Sequence, residues 1–263
     1  MGIDLQPSRN GWVTKRLVGK VHYFPQIDST NSHASRLAAQ GAPEGEIVLA
    51  DTQSQGRGRL GRRWVSPPQA NLYLSIILRP RLAPVHAPQI TLMAAVALAD
   101  TIGSFVSARP AIKWPNDILL QGKKVAGILT ELSCAGDCVD FVILGMGVNI
   151  NFLPNEMPAD IRERATSLFA VMQEKVSREA VLRRLIHDLD RCYGELEEFG
   201  FDALAPRWEA YFGFRGRRVR IELLDQVLLG RAKGIDRDGA LIIESDDGGL
   251  QRVLAGDVIP VEG

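Results

Sequence analysis

The chain has 263 residues, with 31 Lys+Arg balanced by 31 Asp+Glu, 46% apolar residues and 24% charged ones. That length suits one or two domains, and that composition excludes a disordered chain. Zero net charge argues against general nucleic-acid binding, for which a basic domain is expected. No run of about 18 apolar residues is evident, so no membrane-spanning helix is expected; the longest candidate, residues 92–99, stops at Asp100. The N-terminus shows no apolar signal core, and the three cysteines, Cys134, Cys138 and Cys192, read as free thiols of a reducing compartment, so a cytoplasmic location is expected. The four histidines are scattered and lack metal-ligand spacing.

In chain order, residues 1–20 read as a polar lead-in and 21–27 as a strand. Ser29 and Thr30 offer caps for a short helix ending at Gly41. Residues 46–52 read as a strand and 53–70 as a long loop. Residues 71–78 alternate, with Leu72, Leu74, Ile76 and Leu78 on one face, as in a strand with one buried side. Residues 89–106 are apolar enough for a buried helix, and 111–120, 125–132 and 139–150 read as further strands. Helices are expected over 158–171 and 178–199. After Trp208 come short strands over 217–224, 226–236, 240–245 and 251–253, which suggest a small barrel of SH3 type with a boundary near Gly213.

The chemistry gathers in five segments. Gly56-Arg57-Gly58-Arg59-Leu60-Gly61 matches a dinucleotide-binding pattern, but no acid follows at the required distance and Pro67-Pro68 intervenes. Between Asp51 and Asp100 there is no acid, while Arg57, Arg59, Arg62, Arg63, Arg79 and Arg81 remain uncancelled. Glycines beside arginines let a backbone approach an anion, and Trp64 could stack on a base; a solvated basic loop is the plainer reading. Lys113-Trp114-Pro115-Asn116-Asp117 could handle phosphate and Mg²⁺ at a strand end, or be an ordinary Asn-Asp turn. Lys123-Lys124-Val125-Ala126-Gly127 enters a strand. In residues 145–151, period two places Gly145, Gly147, Asn149 and Asn151 on one face, a smooth floor that a ligand could approach. Ser29, Thr30 and Asn31 are explained by capping alone.

Together these segments resemble the biotin protein ligases, from Tyr23 to Val258; residues 165–168 and 234–236 also look like family segments. The resemblance implies an α+β fold: a catalytic domain like that of class II aminoacyl-tRNA synthetases over residues 21–212, and an SH3-like β domain over 213–263. It implies that biotin and MgATP give biotinyl-5′-AMP, whose acyl group passes to one lysine of a biotin carboxyl carrier protein of a carboxylase. It assigns Ser29, Thr30, Asn31, Gln53, Gly56, Arg57, Gly58, Arg59, Lys124, Gly127 and Gly145 to biotin. Arg57, Arg59, Arg62, Trp64, Lys113, Asn116, Lys124 and Asn149 fall to ATP or the adenylate, with Trp64 and Asn149 at adenine. Lys124, Arg59, Lys113 and Asp117 would be catalytic, Asp117 lying near Mg²⁺ or the acceptor lysine.

Only 20 residues precede Val21, too few for the DNA-binding helices of some members, so a monofunctional ligase without nucleic-acid or membrane partners is expected. A homodimer stays open. The rival readings are a lipoate or octanoate transferase and a non-catalytic regulator using the small β domain.

Overall fold

The computed structural model describes residues 14–17, 19–223 and 226–261; most of the expected lead-in, and Leu224 at the end of one expected strand, lie outside them. Strands β1 (Val21–Phe24), β2 (Ile47–Ala50), β3 (Leu72–Leu78), β4 (Ala111–Lys113), β5 (Asp117–Leu120), β6 (Lys123–Ala135) and β7 (Cys138–Val148) form one sheet in the order β1-β2-β3-β7-β6-β5-β4. Only the β1–β2 pair is parallel. A second sheet follows: β8 (Arg218–Glu222), β9 (Val227–Ile235), β10 (Leu241–Glu244), β11 (Leu250–Val253) and β12 (Asp257–Pro260), all antiparallel in the order β11-β10-β9-β8-β12.

Helix α1 (Thr30–Ala39) covers one face of the first sheet, where Ala34 and Ala38 pack on Val48, Ile77, Phe141 and Ile143. Ser29 caps it by accepting from the Ser32 amide at 3.4 Å, the contact expected of a serine at that place. The other face lies under α2 (Pro88–Gly103), which packs on α5 (Arg178–Phe199) and α6 (Ala205–Tyr211). Two covers explain why β3 is buried along its whole length rather than on one side. They also account for α2: the helical stretch Pro84–Gly103 is long and apolar enough to cross a membrane by length and composition, contrary to the short run expected, but 72% of its apolar window is inside the core.

The helix expected over 158–171 is broken into α3 (Ala159–Arg162) and α4 (Leu168–Met172). Between them the backbone bridges to β6 instead, with Lys124 N–H on Arg164 O and Thr166 N–H on Lys124 O, both at 2.8 Å. Two intrahelical positions are thus spent on the sheet, and Ser167 caps a new start. The stretch 111–120 is the β4–β5 hairpin, turning at a cis Trp114–Pro115 bond. β12 was not anticipated; it is four residues long and lies just after Gly256, whose φ is +135°.

The turn between β9 and β10 reaches back to α2 and to the β4–β5 turn. Trp114 Nε1–H donates to Gly239 O at 3.0 Å and Gln89 Nε2–H to Arg237 O at 2.8 Å. At the other end, Asp190 accepts the backbone amides of Lys15, Arg16 and Leu17, which fastens the chain before β1 to α5.

Candidate functional site

The site lies where α1 stops covering its face of the sheet. Beyond the helix N-terminus three neighbouring strands carry small, buried residues on this face: Ser75 on β3, Gly145 and Gly147 on β7, and Gly127 on β6. Register makes them adjacent: Ser75 pairs with Gly145, and Gly147 with Gly127. Small residues on this floor leave room for a cleft open to solvent, into which Asn31 and Trp64 settle. Ser29, Thr30 and Asn31 bound it at the helix end, where the helix dipole favours anions or carbonyl oxygens. Gln53, Arg57, Gly58, Arg59, Trp64, Asn116 and Lys124 complete the wall.

Polar groups at the helix end are mutually oriented. Thr30 donates through N–H and Oγ1–H to Gln53 Oε1 at 2.9 and 3.1 Å. Ser75 Oγ lies 2.8 Å from Thr30 Oγ1 and 2.6 Å from Asn31 Oδ1. Asn31 Nδ2–H donates to Glu131 Oε2 at 2.6 Å and to Leu129 O at 3.2 Å. Asn31 also rests on Gly145, where a methyl group would overlap its Oδ1.

The arginine loop is a small hairpin. Residues 57 and 63 pair, Trp64 N–H returns to Gly56 O at 2.9 Å, and a 3-10 turn over Arg59–Gly61 forms the tip. Gly61 takes φ +72° there, a conformation that favours glycine, and Leu60 beside it is exposed. Three side chains tie this hairpin to the body. Arg57 Nη2–H meets Glu131 Oε2 at 2.8 Å, Arg59 Nη1–H meets Asn116 Oδ1 at 3.1 Å, and Arg62 pairs with Asp257 on β12. Burial pulls the Arg59 guanidinium below its ordinary pKa, and the Asp257 and Asp117 carboxylates pull it back up. Where the loop begins, Asp51 holds the buried Arg178 at 2.8 Å and takes the Tyr23 hydroxyl at 2.5 Å. Burial and that acceptor push the Tyr23 pKa up to about 12.

Trp64 lies on the glycine floor. A Cβ on Gly127 would come within 3.0 Å of its ring, and one on Gly147 would overlap it. Lys124 Nζ sits 5.3 Å from the indole centroid and 2.6 Å from Asp117 Oδ1. The Trp64 Nε1–H is buried and has no acceptor among the described residues.

The model of the Biotin/lipoate A/B protein ligase family matches residues 23–149, and that of the Biotin protein ligase C terminal domain matches residues 214–259. The chain is 37% identical to the bifunctional ligase/repressor BirA of Bacillus subtilis, over 95% of this chain and 77% of that protein. The chain belongs to the biotin protein ligase family. It is also 38% identical to the biotin–[acetyl-CoA-carboxylase] ligase of Paracoccus denitrificans, over 85% of this chain and 93% of that one. A solved biotin protein ligase of Aquifex aeolicus, in complex with biotin and ATP, superposes with a TM-score of 0.78 at 28% identity, covering 93% of this chain and 99% of that chain. The fold is thus the biotin ligase fold: a mixed α/β domain followed by an antiparallel β-sheet domain.

Of the family-derived positions, Ser29, Thr30, Asn31, Gln53, Arg57, Gly58, Arg59, Trp64, Asn116, Lys124, Gly127 and Gly145 come together in the cleft. Gly56 stands just behind it, its α-carbon facing Gln53 and Ser66. Asp117 is joined to the wall through Lys124, and Arg62 turns to Asp257. Lys113, opposite Asp117 in the β4–β5 hairpin, does not line the cleft. Neither does Asn149: its amide is spent on Asn71 and on Thr166 O, at 3.3 and 3.0 Å. Asn151 likewise closes on Val176, so the floor ends at Gly147 and the two amides beyond it pin the returning chain. Ser75, Glu131 and Asp257 were not expected as site residues, although Glu131 closes the family-like segment that begins at Lys124. The signal for Ser75 was a lone hydroxyl in the otherwise apolar run 74–78.

Proposed function

We propose that this chain joins biotin to a lysine of a biotin carboxyl carrier protein in two steps at this one cleft. The observation that carries the reading is the meeting of two kinds of wall. The oriented amides and hydroxyls of Thr30, Asn31 and Gln53 suit a ureido ring, and Arg57, Arg59 and Lys124 suit a carboxylate beside a phosphate. In the first step a biotin carboxylate oxygen bonds to the α-phosphorus of ATP, and the bond from that phosphorus to the bridging oxygen breaks to release pyrophosphate. Two anions must meet, so Lys124 and Arg59 are the groups that cancel their repulsion. Each such charge-assisted hydrogen bond contributes roughly 1.5–3 kcal/mol. In the second step the neutral acceptor amine attacks the acyl carbon, an amide forms and AMP leaves.

Trp64 and its unpaired Nε1–H would meet the nucleotide once the ring leaves the floor, and Lys113 and Arg62 would meet its outer phosphates. Among the described residues no cluster of three or more His, Cys, Asp and Glu could hold a metal. One carboxylate, Asp117, beside the Asn116 amide fits Mg²⁺ that arrives with the phosphates, whose charge it neutralises. Asp117 can equally orient the acceptor amine. The arginine hairpin would exclude water from the reactive anhydride.

The split at residue 213, a synthetase-like first part and an SH3-like second part belong to the same proposal. The five-stranded antiparallel sheet from Arg218 onward supports it. Cys134, Cys138 and Cys192 are free, which supports a reducing, cytoplasmic setting. The test is mass spectrometry of a carrier domain incubated with the chain, biotin and MgATP. One added biotinyl group on its lysine is expected. An unmodified carrier, or lipoate replacing biotin as the acid that drives ATP–pyrophosphate exchange, would overturn the reading.

A further inference from the structure

Glu131 stands at the rim of the cleft, two residues past Leu129 on the β6 face that also carries Gly127. A single oxygen of it, Oε2, accepts from both walls: Asn31 Nδ2–H of α1 at 2.6 Å and Arg57 Nη2–H of the hairpin at 2.8 Å. We propose that Glu131 is a positioning residue for the acid substrate, orienting the Asn31 amide and holding the arginine hairpin shut through Arg57. The inference rests on the proposed function and adds a residue to it.

Asn31 can present either end of its amide, because oxygen and nitrogen have the same shape. With Nδ2 on a carboxylate, the amide nitrogen has to face Glu131 and the oxygen has to face Ser75 and the glycine floor. A neutral amide in place of Glu131 would remove that constraint. Arg57 has a second kind of need. Its side chain is 44% exposed, and Glu131 is its only ion-pair partner among the described residues. An isolated pair so exposed holds little. Here the acceptor is already fixed by a donor from α1, so less freedom remains to be lost when Arg57 docks. The other two hairpin ties run from the tip and far leg, to Asn116 and Asp257. Glu131 therefore governs the near leg, next to Gly56 and Gln53. Loss of this tie lowers the fraction of molecules competent to bind biotin and leaves Lys124 and Arg59 in place. Apparent affinity falls by that fraction, and the chemical step does not.

The experiment is steady-state ATP–pyrophosphate exchange on the full chain, with biotin and ATP varied separately, for wild type, Glu131→Gln, Glu131→Asp and Arg57→Ala, and for the double variant Glu131→Gln/Arg57→Ala. Glu131→Gln should raise the KM for biotin by about tenfold while kcat and the KM for ATP stay within about twofold. Glu131→Asp, which keeps the charge, should recover part of the loss. The double variant should lose less than the product of the two single losses. An unchanged KM for biotin in Glu131→Gln, an equal fall in kcat, or full multiplicativity with Arg57→Ala would each overturn the inference. Absence of biotin-dependent exchange in the wild type would instead overturn the proposed function.

Discussion

At the scale of single residues, two cations of the cleft are held by the protein's own acids, Lys124 by Asp117 and Arg57 by Glu131, while Arg59 meets the Asn116 amide. In the proposed reaction substrate anions take over the Lys124 contact with Asp117, and Lys124 is the cation placed between both reactants. Replacing Lys124 by Ala removes about two charge-assisted bonds from the transition state, so biotin-dependent pyrophosphate exchange should fall by about a hundredfold or more. The fold should survive, because the Lys124 backbone keeps its bridges to Arg164 and Thr166 and the side chain is 33% exposed. Near-normal exchange with an unchanged melting temperature would remove Lys124 from the chemistry. Lys124, Thr30, Asn31 and Gln53 were legible through the family resemblance, since capping alone explains Thr30 and Asn31 and a solvated lysine pair explains Lys124. Ser75 and Glu131 were not. They lie 56 positions apart on strands that only the β3–β7–β6 register brings beside the same asparagine.

At the scale of elements, α1 and α5 could be read from caps and periodicity because those signals are local. What the local pattern missed depends on neighbours. The alternation of β3 hid a second cover, and a bridge to β6 broke the helix expected over 158–171, whereas the buried helix expected over 89–106 is α2. The glycine face of β7 was legible as far as Gly147; Asn149 and Asn151 leave the strand and serve the chain that follows. The glycines of that face are required by what lies on them. In Gly145→Ala the new methyl would overlap Asn31 Oδ1, and Asn31 cannot retreat without leaving Ser75 and Glu131. Biotin affinity measured by calorimetry should drop by about tenfold or more, since at least one well-oriented hydrogen bond is lost. Unchanged affinity would mean that the ligand does not depend on Asn31 in this position.

At the scale of the whole molecule, the zero net charge conceals a division of labour. Arg57 and Arg59 at the cleft each meet one partner among the described residues, Glu131 and Asn116, whereas Arg191 and Arg207 on the opposite side share several acids. There Asp100, on α2, accepts Tyr211 Oη–H and Arg191 Nη2–H, both at 2.8 Å, and also pairs with Arg207. One carboxylate thus joins α2, α5 and α6, the helices that bury the far face of the first sheet. Burial would raise the Asp100 pKa, but the Tyr211, Arg191 and Arg207 hydrogen bonds outweigh it, and the group is held below its ordinary value. A carboxylate with a depressed folded pKa stabilises the fold above its unfolded pKa, and that stability is lost as pH falls through the folded value. Asp100→Asn should therefore cost on the order of 2 kcal/mol at neutral pH, since one acceptor oxygen and the charge are lost while the other oxygen remains. Urea unfolding of the two proteins should show a constant gap above about pH 5 that narrows below about pH 4, as the carboxyl in the unfolded chain begins to protonate. A gap that widened on acidification would mean that Asp100 is held neutral and that the three helices are joined by something other than its charge.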